Sequence, residues 1–171
     1  SEAKGAKYKA QLLGSGTILN EDLKAQAILA EKYSVAADVW SVTSYKELRR
    51  EAMDCERHNL LNPTAPARVP YVTQVLAPTD GPIVAVSDYV KMLPDALQRW
   101  MPRPMQSLGT EGFGRSETRK ALRDFFEVDA RYVVVATLYQ LAQQKVIKTE
   151  VVAQAIKDLG INPNKLNPLF A

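Results

Sequence analysis

The sequence predicts an α/β domain of three layers, with helices on both faces of a mainly parallel sheet. Three observations carry this expectation. Short β-rich runs alternate with amphipathic helical runs along the whole chain. Pro82 to Ser87 is almost continuously apolar, as befits a strand buried on both faces. A glycine-rich loop, Gly109-Thr-Glu-Gly-Phe-Gly-Arg-Ser116, joins a strand to a helix in the second half.

At 171 residues the chain is long enough for one domain with its own core. Its 22 Lys and Arg against 19 Asp and Glu give a net charge of +3, with the signs interspersed. So weak and mixed a balance argues against nucleic acid or an acidic membrane surface as a partner. The single cysteine, Cys55, can form no internal disulfide and fits a reducing compartment, hence a cytoplasmic location. No apolar run approaches the roughly 20 residues of a membrane helix. Ser1 to Lys7 lacks a signal-peptide core. We expect a linker or cut site over 1–7 and the domain over 8–171.

The elements follow in order. Lys9 to Leu13 reads as a first strand, ended by Gly14-Ser15-Gly16. Asn20 then caps a helix to about Tyr33, with Glu21 and Asp22 in the first turn, where the helix dipole favours negative charge, and Leu23, Ala27 and Ala30 on its inner face. Asp38 to Val42 is a second strand, rich in Val and Trp. Ser44-Tyr-Lys-Glu47 is a capping box, and Leu48, Ala52 and Cys55 follow at core spacing, so that Cys55 reads as a small buried hydrophobe.

Asn62 to Arg68, with two prolines, is a surface loop. From Arg68 to Leu76 the residues suit either a helix or a strand. Pro82 to Ser87 is the third strand, after which Asp88 or Ser87 caps a helix towards Trp100 whose regularity Pro94 limits. Met105 to Leu108 is the fourth strand, leading into the glycine loop.

Ser116 is expected to cap the helix Glu117 to Val128, with Ala121, Leu122, Phe125 and Phe126 inward and Arg119, Lys120, Arg123 and Asp124 outward. Tyr132 to Leu138 has β propensity, yet Asp129 is a good N-cap and the apolar spacing continues helically through Leu141. We read a helix. Thr149 caps a last helix closed by Gly160.

Little in the chain suits catalysis. One histidine, His58, rules out a multi-histidine metal site, and no carboxylate or Cys/His spacing fits a metal. His58 lies three residues beyond Cys55 with no third orienting group. Arg49-Arg50-Glu51 and Glu56-Arg57-His58 read as a solvated face or a docking surface. Trp40 and Trp100 read as core or interface anchors. The glycine loop has two readings: an anion cradle of backbone N–H groups, or a tight connection that only glycine can make. Arg115-Ser116 only loosely imitates the Lys-Ser/Thr pair of a phosphate loop, and the G-x-x-G-x-G spacing misses the dinucleotide fingerprint.

Several separated motifs nevertheless resemble one family. Leu108 to Arg119 and Leu122 to Asp129 are joined by Asp38 to Ser44, Leu48-Arg-Arg50, Asp54-Cys-Glu-Arg57, Arg68-Val-Pro-Tyr71, Asp88-Tyr-Val-Lys91, Val151 to Ile156 and Asn167-Pro168. Together they resemble the C-terminal domain of homodimeric bacterial pyruvate dehydrogenase first components. More broadly, Phe113 to Ser116 resembles an element of transketolase-type C-terminal domains.

The resemblance implies a short helix within Arg68 to Leu76, and a five-stranded mixed sheet with one antiparallel edge strand. It implies a parent enzyme that uses thiamine diphosphate and magnesium to decarboxylate pyruvate, then reductively acetylates lipoyl groups of a dihydrolipoyl acetyltransferase core. The family's Gly-Asp-Gly motif, which holds the cofactor, is missing here, so we expect no catalytic, cofactor or metal residues in this chain. The domain would pack against the preceding domains and the second protomer. Gly109, Gly112, Phe113, Gly114, Arg115 and Ser116 are its candidate docking or anion-binding residues. Because family members usually engage the acetyltransferase core through their N-terminal end, no strong core binding is expected from this region. The alternative of a different class is a regulatory anion-binding module at Gly14 to Gly16 or at Gly109 to Ser116.

Overall fold

Strand β1 (Tyr8–Gly14) lies inside a four-stranded sheet of order β2-β1-β3-β4, in a computed structural model that describes residues 5–171. It pairs in parallel with β2 (Val35–Ser41) on one side and β3 (Ile83–Val86) on the other, and β3 pairs in parallel with β4 (Met105–Leu108). Leu12 thus sits between Val39 and Val84. All four residues of β3 are buried, as its unbroken apolar run requires. The expected linker falls partly on residues 1–4, which lie outside the described residues.

Helices cover both faces. On one, Ala10, Leu12, Val84 and Val86 meet α1 (Leu19–Tyr33), α6 (Ala130–Gln143) and α7 (Thr149–Asp158) through Ala25, Leu29, Val133, Val134, Leu138 and Ala155. On the other, Leu13, Ile83, Ala85 and Met105 meet α2 (Tyr45–Leu61) and α3 (Tyr71–Leu76) through Tyr45, Val72 and Leu76, with Leu97 beside them. The three-layer α/β/α architecture follows.

The antiparallel edge strand does not form among the described residues. After β4 the chain commits its remaining apolar pattern to α5 (Arg119–Phe125), α6 and α7, and the tail ends in a 3-10 turn over Pro168–Phe170. No apolar alternation is left to pair with an edge.

Several helix starts differ from expectation. α1 begins after a 3-10 turn over Gly16–Ile18; Asn20 lies inside it and donates to the Thr17 carbonyl rather than capping. Its buried face is Glu21, Asp22, Ala25 and Leu29, which leaves Leu23 and Ala27 exposed. Only half of the capping box forms: Ser44 Oγ accepts from the Glu47 amide at 3.2 Å, while the Glu47 carboxylate turns to Arg50. Beyond β3 a short helix, α4 (Met92–Asp95), and a 3-10 turn at Gln98–Trp100 replace one longer helix; Ser87 Oγ accepts from Tyr89 N and caps neither. Thr118, not Ser116, caps α5, accepting from Ala121 N at 3.3 Å. Within α5 Ala121 is exposed and Arg123 points inward. Asp129 caps α6 as expected, whereas Thr149 is already helical.

Candidate docking face at the carboxyl end of the sheet

The strand order reverses at β1, which sends the chain to β2 on one side and receives β3 on the other. In open α/β sheets the crevice beyond such a reversal is where ligands gather. Here Thr17 after β1, Asp88 after β3 and Thr110 after β4 border a crevice of about 500 Å³, closed by Glu117, Arg119 and Arg123. Its charges are mixed, as in the chain as a whole.

Arg123 links this crevice to a charged hub beneath the start of α1. Glu21, almost wholly buried, accepts through Oε1 from Arg123 Nη1 and Lys24 Nζ, each at 2.8 Å, and through Oε2 from the Ala130 amide at 3.1 Å. Burial alone would raise this carboxyl, but Lys24, the Ala130 amide and Arg123 together hold it below its ordinary value. Arg123 also donates to Thr17 Oγ1 at 3.3 Å. One carboxylate thereby ties the start of α1 to α5 and to the first turn of α6.

Its neighbour Asp22 is treated oppositely. It is fully buried, neither carboxyl oxygen has a partner, and burial reinforced by Glu21 pushes its pKa up to about 8. The carboxyl packs so tightly on Gly14 that a Cβ there would lie 2.2 Å from Oδ2. The Gly14 end of the Gly14 to Gly16 loop is thus covered by a buried side chain. Burial and the nearby Asp22 also push the Tyr45 hydroxyl upward, while it donates to the Leu13 carbonyl at 3.3 Å.

The glycine loop is a junction. Gly109 lets the chain pass so close to Tyr89 that a Cβ would lie 2.5 Å from its carbonyl oxygen; next to it Thr110 N donates to that oxygen at 2.8 Å, and Glu111 Oε1 accepts from Lys91 N at 2.7 Å. Gly112 takes φ +79°, and a Cβ there would lie 2.3 Å from the Pro168 carbonyl oxygen. Gly114 has open space and no left-handed φ. Phe113 is exposed, Arg115 stacks over the Phe125 ring at 4.5 Å, and Ser116 is exposed before the Thr118 cap. The structure therefore uses these residues to bring three chain segments together; Arg115 is engaged with a ring.

Other singled-out residues find structural places. Cys55 is buried, its thiol pushed up by burial and by the Glu51 carboxylate 3.1 Å away. Trp40 Nε1 donates to buried Gln11 at 2.7 Å. Arg49-Arg50-Glu51 is exposed, while Glu56 pairs with Arg99 at 2.8 Å. Among the described residues no group of three or more His, Cys, Asp or Glu could hold a metal, and no helix is long and apolar enough to cross a membrane.

Sequence reasoning missed Glu21 and Asp22 as buried groups, because first-turn acids read as dipole partners at the surface. It also missed the apolar Tyr89 to Leu93 and Leu169 to Phe170 as parts of this face. Their apolar character in predicted loop and helix-end positions was the available signal.

Fold and face together define a three-layer α/β domain with a four-stranded parallel sheet and a crevice beyond the carboxyl ends of its strands. Residues 1–129 match the family described as the transketolase-like TK C-terminal domain. The chain belongs to that family. It is 51% identical over 171 residues, 99% of the chain, to the pyruvate dehydrogenase E1 component of Haemophilus influenzae, covering 19% of that protein. It is 49% identical over 168 residues, 98% of the chain, to the one of Escherichia coli K12, and 46% over 169 residues, again 98%, to the one of Pseudomonas aeruginosa, covering 19% of each. The chain spans about a fifth of the length of these curated relatives, which it matches in their C-terminal region.

Proposed function

We propose that this chain is the C-terminal assembly domain of a cytoplasmic, homodimeric pyruvate dehydrogenase first component, with the domain proper over 8–171 and a linker or cut site over 1–7. The parent would take thiamine diphosphate and magnesium, decarboxylate pyruvate delivered by glycolysis, and acetylate lipoyl groups of a dihydrolipoyl acetyltransferase core. The observation that carries this is the near-complete match of the chain to a fifth of such relatives. The residues present fit neither the cofactor nor its metal: the Gly-Asp-Gly motif is missing from the sequence, and the buried carboxyl of Asp22 packs on a glycine rather than opening to a diphosphate. The domain's contribution is then mechanical. It holds the preceding domains and the second protomer, with Gly109 to Ser116 shaping the contact face.

A parent enzyme truncated before Tyr8 tests this. Without the domain it should sediment as a weakened dimer and turn over poorly, and the chain added in trans should restore both. A truncated enzyme that is fully dimeric and fully active alone would sink the proposal.

A further inference from the structure

A second cavity, of about 470 Å³, shares no residue with the crevice and is walled by the end of β2, the turn into α2, and residues of α2 and α3. Leu13, Val42, Leu48, Val72 and Leu76 make its lining apolar, and Trp40 and Tyr71 add an indole and a phenol. The Trp40 ring is fixed through its Nε1 donation to Gln11. Such a size and lining suit a small molecule, whose sites run to roughly 300–1,000 Å³ and are mostly apolar with a few placed polar groups.

The charge in this cavity has one sign. Among the described residues that line it, the charged ones are Glu47 and Glu51. Glu47 pairs with Arg50, but Glu51 is held by neutral donors: Oε1 accepts from Cys55 Sγ at 3.1 Å and Oε2 from Tyr71 N at 3.0 Å. Each donor ties down one oxygen. The Glu51 carboxylate is therefore oriented beforehand, with no paired cation, beside an apolar hollow.

We propose that this cavity binds a small organic cation, an ammonium carried on an aromatic or aliphatic body. The body displaces water from the apolar lining, while the ammonium makes a charge-assisted hydrogen bond to Glu51. Aromatic rings add to the preference, since the face of an indole or a phenol attracts a cation and gives a neutral group no such gain. An anion would be repelled by both glutamates. The site uses no part of the glycine loop and does not depend on the assembly reading above.

Heteronuclear NMR titration of the 171-residue chain with phenethylammonium, and separately with neutral phenethyl alcohol, tests the charge selection without any substitution. Saturable shifts should centre on the Trp40 indole N–H and the Tyr71 amide, and the alcohol should bind about tenfold or more weakly than the ammonium. The Trp100 indole, which does not line the cavity, should stay unmoved. Glu51→Gln keeps an acceptor for Tyr71 N and should bring the ammonium down to the affinity of the alcohol; if that variant fails to fold, the two probes decide by themselves. Equal affinity for both probes would reveal a hollow without charge selection and overturn the proposal. Shifts that do not saturate, or that centre away from Trp40 and Tyr71, would overturn it too, as would an unchanged ammonium affinity in folded Glu51→Gln.

Discussion

Glu21 and Arg123 stand 102 positions apart and meet at 2.8 Å, with the Glu21 carboxylate nearly sealed from solvent and the Arg123 guanidinium largely so. The same carboxylate accepts the Ala130 amide, so that α1, α5 and α6 share one acceptor.

Removing one partner of a buried pair strands the other, at about 3–5 kcal/mol for fully sealed pairs; Arg123 keeps some water, so Arg123→Met should cost nearer 2 kcal/mol. Denaturant melts of that variant, of Glu21→Gln and of the double variant check it. The two effects should fall short of adding by about 1 kcal/mol or more, and simple additivity would mean the pair contributes nothing specific.

Asp22 gives the chain an unusual pH dependence. Its carboxyl titrates near pH 8 when folded against an ordinary 3.8. The folded state therefore keeps a proton that the unfolded state releases, and this contribution to stability is full below the unfolded value and declines as pH rises towards 8, by about 1.4 kcal/mol per pH unit. Glu21, held below its ordinary value, works in the opposite sense and loses its contribution as pH falls. Asp22→Asn should remove the first dependence: its stability gain over the natural chain should grow from pH 5 to pH 8 by about 3 kcal/mol. Melts across that range would show parallel curves if Asp22 were already ionised in the fold.

Ser44→Ala should cost on the order of 1 kcal/mol through the lost cap, whereas Glu47→Ala should change stability by no more than about 0.5 kcal/mol, its side chain having turned to an exposed Arg50. A reciprocal capping box would instead make the two losses similar.

The glycines separate in the same way. Gly112→Ala forces a side chain into the Pro168 carbonyl at a left-handed φ and should lower the thermal midpoint by several degrees, equivalent to about 1–3 kcal/mol. Gly114→Ala meets open space and should be neutral or stabilising by up to about 1 kcal/mol. Equal losses at both would contradict the junction geometry.

The layers of this fold were legible because strands and helices announce themselves by period: β3 by its unbroken apolar run, α6 by the Asp129 cap and the spacing through Leu141. The helix starts were less so, since Ser116 and Thr118, or Asn20 and Ile18, differ only in which residue the preceding turn presents. The family was legible in ordered motifs, and the glycine loop in its composition. The reason for its glycines was not, because Gly109 and Gly112 answer to Tyr89 and Pro168, contacts that no local pattern encodes. Glu21 and Asp22 look alike in sequence; only the arrival of Arg123 and Ala130 from the far end of the chain makes one a paired carboxylate and leaves the other an orphan.

The central claim, that this domain assembles an enzyme whose cofactor is held elsewhere, is tested most directly by calorimetric titration of the chain with thiamine diphosphate in the presence of magnesium. The account predicts no saturable heat and no release of carbon dioxide from pyruvate. Saturable binding at micromolar concentration would contradict it.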